Sequence, residues 1–128
     1  MSFCITKTTK GDFDAVVTKV VEKLKSEGFG VLTEIDVADT LKQKLGVEMK
    51  RYRILGACNP GFAHKALELE EKIGVMLPCN VIVQEKADGV IDVAAVDPRT
   101  AMRQIGNPAL TEIASEVAER LSRVVGAI

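Results

Sequence analysis

Two short motifs carry the residues of this chain with chemistry to offer: Cys58-Asn59-Pro60-Gly61 and Leu77-Pro78-Cys79-Asn80. Each sets a thiol beside an Asn and a Pro, where a regular element begins or ends. Cys58 immediately precedes a helix start, whose unpaired N–H groups and positive dipole end favour thiolate. Cys79 leads into a strand. If the strands that end at Cys58 and start at Cys79 are antiparallel neighbours, both thiols reach one edge of a sheet. The chemistry would be that of a dithiol or a soft-metal site, with Asn59 and Asn80 lining the same corner. Asn59 also suits a helix N-cap, and Asn80 a bond to nearby backbone. His64, the single histidine, is the available proton acceptor or further ligand. Cys58-x5-His64-x14-Cys79 matches no standard zinc spacing, so no metal set is assigned from spacing. Cys4 falls within a strand pattern and reads as packing.

Other constellations are weaker. Lys42, Lys44, Lys50, Arg51 and Arg53 form a basic stretch against Glu48, which reads as solvated surface. Asp97, Arg99 and Arg103 could border a pocket, with Asp97 already explained as a cap for the Pro98 turn. There is no Gly-rich phosphate loop and no Ser-His-Asp candidate. Lys plus Arg number 17 against 18 acidic residues, so no global field draws nucleic acid or an anionic membrane. One Tyr, four Phe and no Trp leave little material for base stacking. No apolar run is long enough for a membrane span, and no export signal is apparent. The three cysteines therefore read as reduced cytoplasmic thiols, and no cofactor is implied.

The elements that must position these residues follow from periodicity. Phe3 to Thr8 alternates as a first strand. Asp12 caps a helix over 12–27, in which Phe13, Val16, Val17, Val20, Val21 and Leu24 form one apolar stripe. Phe29 to Ile35 reads as a second strand with Phe29, Val31, Thr33 and Ile35 on one face. A short helix to Leu45 turns Val37, Leu41 and Leu45 inward. Tyr52 to Cys58 is a third strand. Pro60 opens a helix with Phe62, Ala66, Leu69 and Ile73 on its buried side. Val81–Lys86 and Val90–Val96 flank Ala87-Asp88-Gly89, a hairpin signal. Asn107-Pro108 starts the last helix, over 108–125, where Leu110, Ile113, Ala114, Val117, Ala118, Leu121 and Val125 repeat the core stripe. The order β-α-β-α-β-α-β-β-α over residues 1–128 predicts a single domain of the α+β class, a two-layer sandwich with the long helices on one sheet face.

The Cys58-Asn59-Pro60 motif, the run Ile73-Gly74-Val75-Met76-Leu77-Pro78-Cys79-Asn80-Val81-Ile82-Val83, and Val96-Asp97-Pro98 with Met102 resemble the domain of unknown function 302 family. The resemblance spans nearly the whole chain. Val75 and Met76 stand where the family often has Leu, a change of core size. The resemblance implies a TBP-like α+β fold, a curved, mostly antiparallel sheet with two long helices, and it brings no activity. The expected function is a non-catalytic homodimeric module binding or sensing a small molecule or soft metal near Cys58 and Cys79. A thiol redox protein or enzyme using Cys58, and a purely structural or interaction domain, are the alternatives. The dimer follows from Val90–Val96, apolar on nearly both faces, so one face needs cover.

Overall fold

The structure, a computed structural model, describes residues 2–128. Phe13, Val16, Val17, Val20 and Leu24 are the buried residues of α1, Phe13–Ser26. The Asp12 carboxylate accepts from Ala15 N–H at 3.0 Å and fixes the start of that helix. The same device recurs wherever Asn or Asp precedes Pro. Asn59, Asp97 and Asn107 cap α3 (Pro60–Leu69), α4 (Pro98–Arg103) and α5 (Pro108–Gly126), each with Pro inside the first turn.

The strands are β1 (Cys4–Lys10), β2 (Gly30–Asp36), β3 (Tyr52–Cys58), β4 (Cys79–Glu85) and β5 (Val90–Val96), with α2 (Val37–Leu45) between β2 and β3. They form one five-stranded sheet in the order β1-β5-β4-β3-β2, antiparallel at every pairing. Asp88 at φ 59° and Gly89 at φ 72° make the tight link from β4 to β5, as the hairpin signal predicts. Leu55, Ala57, Val81, Val83, Ile91, Val93 and Ala95 face α1 and α5, whose apolar stripes complete the main core. The two-layer α+β fold expected from the element order is the one observed.

Four local expectations are corrected. A β-bulge between Val31 and Thr33 inserts Leu32 into β2. One extra residue exchanges the faces, so Val31 pairs with Ala57 under the helices while Ile35 pairs with Ile54 on the opposite face. Phe29, Val31, Thr33 and Ile35 therefore do not share a side. In α2 no residue is fully buried, and Leu45 is 69% exposed rather than inward. Leu69 is also exposed, because α3 ends there and a 3-10 turn over Glu71–Met76 redirects the chain before Ile73 is buried. Val75 is 86% exposed and Met76 40%, so their difference from Leu does not alter a core.

The face away from the helices has a defined composition. Ile35, Ile54, Ile82 and Ala94 stand opposite one another across β2, β3, β4 and β5, in a single cross-strand row. Polar residues flank that row on one side, where Gln84 Nε2 donates to Asp92 Oδ2 at 3.2 Å. Gly56 lies in the next row on the other side. A Cβ at Gly56 would collide with Thr33 Oγ1 and stand 2.9 Å from Pro78 Cγ, so the close approach of β2 and the Pro78 ring requires glycine.

Candidate functional site

β3 and β4 pair from Tyr52↔Gln84 to Ala57↔Cys79. The antiparallel register thus brings the exit of β3 and the entry of β4 to the same end of the sheet, as the two cysteine motifs require. Cys79 lies in register with Ala57 and packs against the main core. Cys58 is one residue beyond the last β3–β4 pair, where the chain turns into the Asn59 cap. Both cysteines border one cavity.

That cavity measures about 40 Å³ and sits between the main core and a second, smaller cluster built on Ala66, Ile73, Met102, Leu110 and Ala114. Ala57, Cys58, Leu77, Pro78 and Cys79 line it from the end of the sheet. Phe62, Ala63 and Ala66 of α3 make one wall, and Ile113, Ala114 and Val117 of α5 the other. Met102 of α4 also lines it. Asn59 supplies the amide in this lining, and its Oδ1 accepts from Phe62 N–H at 3.4 Å.

The surroundings act on the thiols. Cys4, Cys58 and Cys79 are all free. Burial pushes the Cys79 thiol up from its ordinary 9.0 to about 11, and negative charge on Cys58 adds to the rise. Cys79 is consequently a protonated thiol at neutral pH. At the same end of the sheet, Asp97 follows β5 and is buried. Arg99 donates to its carboxylate through Nε at 3.0 Å and Nη2 at 2.8 Å, and the Arg99 backbone N–H donates as well. These bonds, the Arg99 side chain first, hold the Asp97 carboxyl below the usual carboxylate range. Asp97 is thus engaged in capping α4.

Two of the expected site residues lie elsewhere. Asn80 is exposed in register with Gly56, on the face away from the helices, because side chains alternate along β4 and Cys79 and Val81 point inward. His64 has a side chain 79% exposed and its Nδ1 lies 3.3 Å from Glu68 Oε1 on the surface of α3. Neither borders the cavity. The basic stretch is engaged in surface ion pairs: Arg51 with Asp14 at 2.6 Å, Arg53 with Glu34 at 3.0 Å and Lys42 with Glu48 at 3.4 Å. Met102 and Phe62 complete the cavity without a local signal in their own segments, since each reads as an ordinary core position.

A small antiparallel α+β sandwich with a sulfur-bearing cavity at one sheet end is the class of protein these features define. Residues 5–128 match the family described as domain of unknown function DUF302, and the chain belongs to that family. It is similar to the crystal structure of the uncharacterized conserved protein DUF302 from Bacillus stearothermophilus, with 29% sequence identity. That likeness covers 98% of each chain at a TM-score of 0.91. No curated protein matches the chain.

Proposed function

We propose that this protein is a non-catalytic, homodimeric binding or sensing module whose ligand, a small molecule or a soft metal, occupies the cavity beside Cys58 and Cys79. The convergence of two cysteine motifs, distant in sequence, on one largely apolar cavity carries this reading. Pockets of that composition, apolar with a few placed polar or sulfur groups, are the usual form of a small-ligand site. The thiol-enzyme alternative, which would use Cys58, draws less support, because the exposed His64 borders no part of the cavity and so stands ready as a base for neither thiol. A reducing, cytoplasmic setting accords with three free cysteines.

Xenon under pressure is the probe for the cavity, since it needs only apolar space. The methyl resonances of Ala57, Ala63 and Ala114 are expected to shift together in a saturable manner, with those of exposed alanines unmoved. A cavity that xenon leaves empty removes the binding reading.

The homodimer rests on the apolar row of Ile35, Ile54, Ile82 and Ala94. Helices cover the other face, whereas Ile35 is 46% exposed. A second copy is the occupant that fits, because an apolar row flanked by uncharged and mixed polar residues is complementary to itself across a two-fold axis. Sedimentation at micromolar concentration is expected to give a dimer. Ile54→Lys, in the middle of the row, is expected to give a monomer with an unchanged circular dichroism spectrum. A wild-type protein that sediments as a monomer removes the dimer.

A further inference from the structure

Phe62 packs against the main core and lines the apolar cavity described above. It also lines a surface basin of about 230 Å³, formed with Asn59, Gly61, Lys65 and Arg120. Asn59 and Phe62 belong to both linings, so the basin and the cavity share a wall. Resting on the reading of the cavity as a ligand site, we propose that its ligand is a small organic oxyanion with a short alkyl tail. The tail occupies the cavity, and the carboxylate or phosphate head lies in the basin against Lys65 and Arg120.

Charge selects the head. The basin's lining holds two cations and no carboxylate. Both cations stand over the Phe62 ring, Arg120 Cζ at 5.2 Å and Lys65 Nζ at 5.9 Å from its centroid. One cation over a ring is a stabilising contact. Two like charges gathered on one ring repel each other, and an anion in the basin that both line offsets that repulsion. Among the described residues neither Lys65 nor Arg120 forms a salt bridge. Arg120 Nη1 donates to the Glu27 carbonyl at 3.0 Å, while Arg123 binds the Glu27 carboxylate at 2.9 Å. Glu112, Glu116 and Glu119 line the neighbouring groove, which Lys65 also borders, and none of them lines the basin.

Asn59 adds a neutral donor. Its Oδ1 accepts from Phe62 N–H, which leaves Nδ2 to donate. A Cβ built on Gly28 would lie 3.0 Å from Asn59 Nδ2 and 3.5 Å from Arg120 Nη1, so these two donors close on one point. An oxyanion that accepts from a guanidinium is held in charge-assisted hydrogen bonds.

Volume sets the tail. A water needs roughly 10–15 Å³, so the cavity of about 40 Å³ holds an alkyl group of roughly three carbons. The charged head stays outside, because an ion taken into an apolar lining without a partner is strongly disfavoured.

Butyrate is the probe, followed by calorimetry and by the methyl resonances of the cavity. It is expected to bind saturably, to shift Ala57, Ala63 and Ala114 together, and to move the Gly61 amide in the basin. Acetate, which lacks two of the methylenes to be buried, is expected to bind about tenfold more weakly. Butyramide keeps the tail without the charge and is expected to lose about tenfold or more. Octanoate is expected to gain nothing over butyrate. Lys65→Met and Arg120→Met are each expected to weaken butyrate about tenfold, with Arg120→Lys recovering part of the loss. Xenon uptake is expected to stay unchanged in all three variants. Lys65 is exposed, so its replacement tests charge apart from fold, and circular dichroism checks the Arg120 variants. Propyl phosphate carries the same tail as butyrate; tighter binding of either one supports the proposal and names the head. Butyrate binding that survives both methionine variants, is matched by butyramide, or grows steadily to octanoate overturns the proposal. If xenon fills the cavity while neither anion enters, the oxyanion assignment fails and the binding-module reading stands. If xenon is excluded too, both fail.

Discussion

Leu121→Ala is expected to lower the stability of this protein by about 2–5 kcal/mol, the range for truncating a fully buried leucine. Leu121 is 0% exposed on the inner stripe of α5, in the core cluster that also holds Val17, Val20 and Val124. α1 and α5 contact each other as well as the sheet, so the void has rigid neighbours on several sides and relaxes little. Domains of this size have only about 5–15 kcal/mol in total, so a large share of the stability is at stake. Chemical denaturation should show a lower midpoint with little change in slope. Leu45→Ala is the control, because its side chain is exposed, and its effect should stay within about 0.5 kcal/mol. Equal losses in the two variants would overturn this account of the core.

Alkaline pH is expected to destabilise the wild-type protein more than Cys79→Ala. The folded state holds the Cys79 thiol at about 11, against 9.0 ordinarily, because burial penalises the thiolate. Below 9.0 both states carry the proton, and the stability this burial confers is fully present. As pH rises past that value the unfolded chain releases its proton first and gains free energy, so stability falls until the folded thiol ionises near 11. The interval between those values corresponds to about 2–3 kcal/mol. Urea titrations of both proteins at a pH just below 9.0 and again just below 11 measure the difference. Other groups that titrate in this range are common to the two proteins, so the excess loss in the wild type isolates Cys79. Parallel losses would show that burial does not act on this thiol.

The long helices were legible because their evidence is local. Phe13, Val16, Val17, Val20 and Leu24, like Leu110, Ala114, Val117, Ala118 and Leu121, carry a helical period within one segment, and all are buried. The shared end of β3 and β4 was legible too, since a helix between antiparallel strands returns the chain to the end it left. The bulge at Leu32 was not, because one inserted residue leaves composition unchanged while reversing faces. Leu45 and Leu69 fit the same periodic rule as Leu121 and are exposed, which shows that a stripe names a face without naming what covers it. Asn80 was within reach of the rule: alternation with Val81 already assigns it to the opposite side from Cys79. Met102 was not, because its place in the cavity lining depends on how α4 packs against α5.

The sheet order has a consequence for synthesis. β1 lies at one edge and pairs with β5 alone, Cys4 opposite Val96 and Lys10 opposite Val90. On the ribosome, residues 4–10 emerge well before their partner strand exists, a delay of roughly 4–20 s at ordinary elongation rates. β2, β3 and β4 can join during that interval through neighbouring pairings, while β1 waits with its backbone donors open to water or to other chains. The earliest of the strands to be made is the one whose pairing closes last.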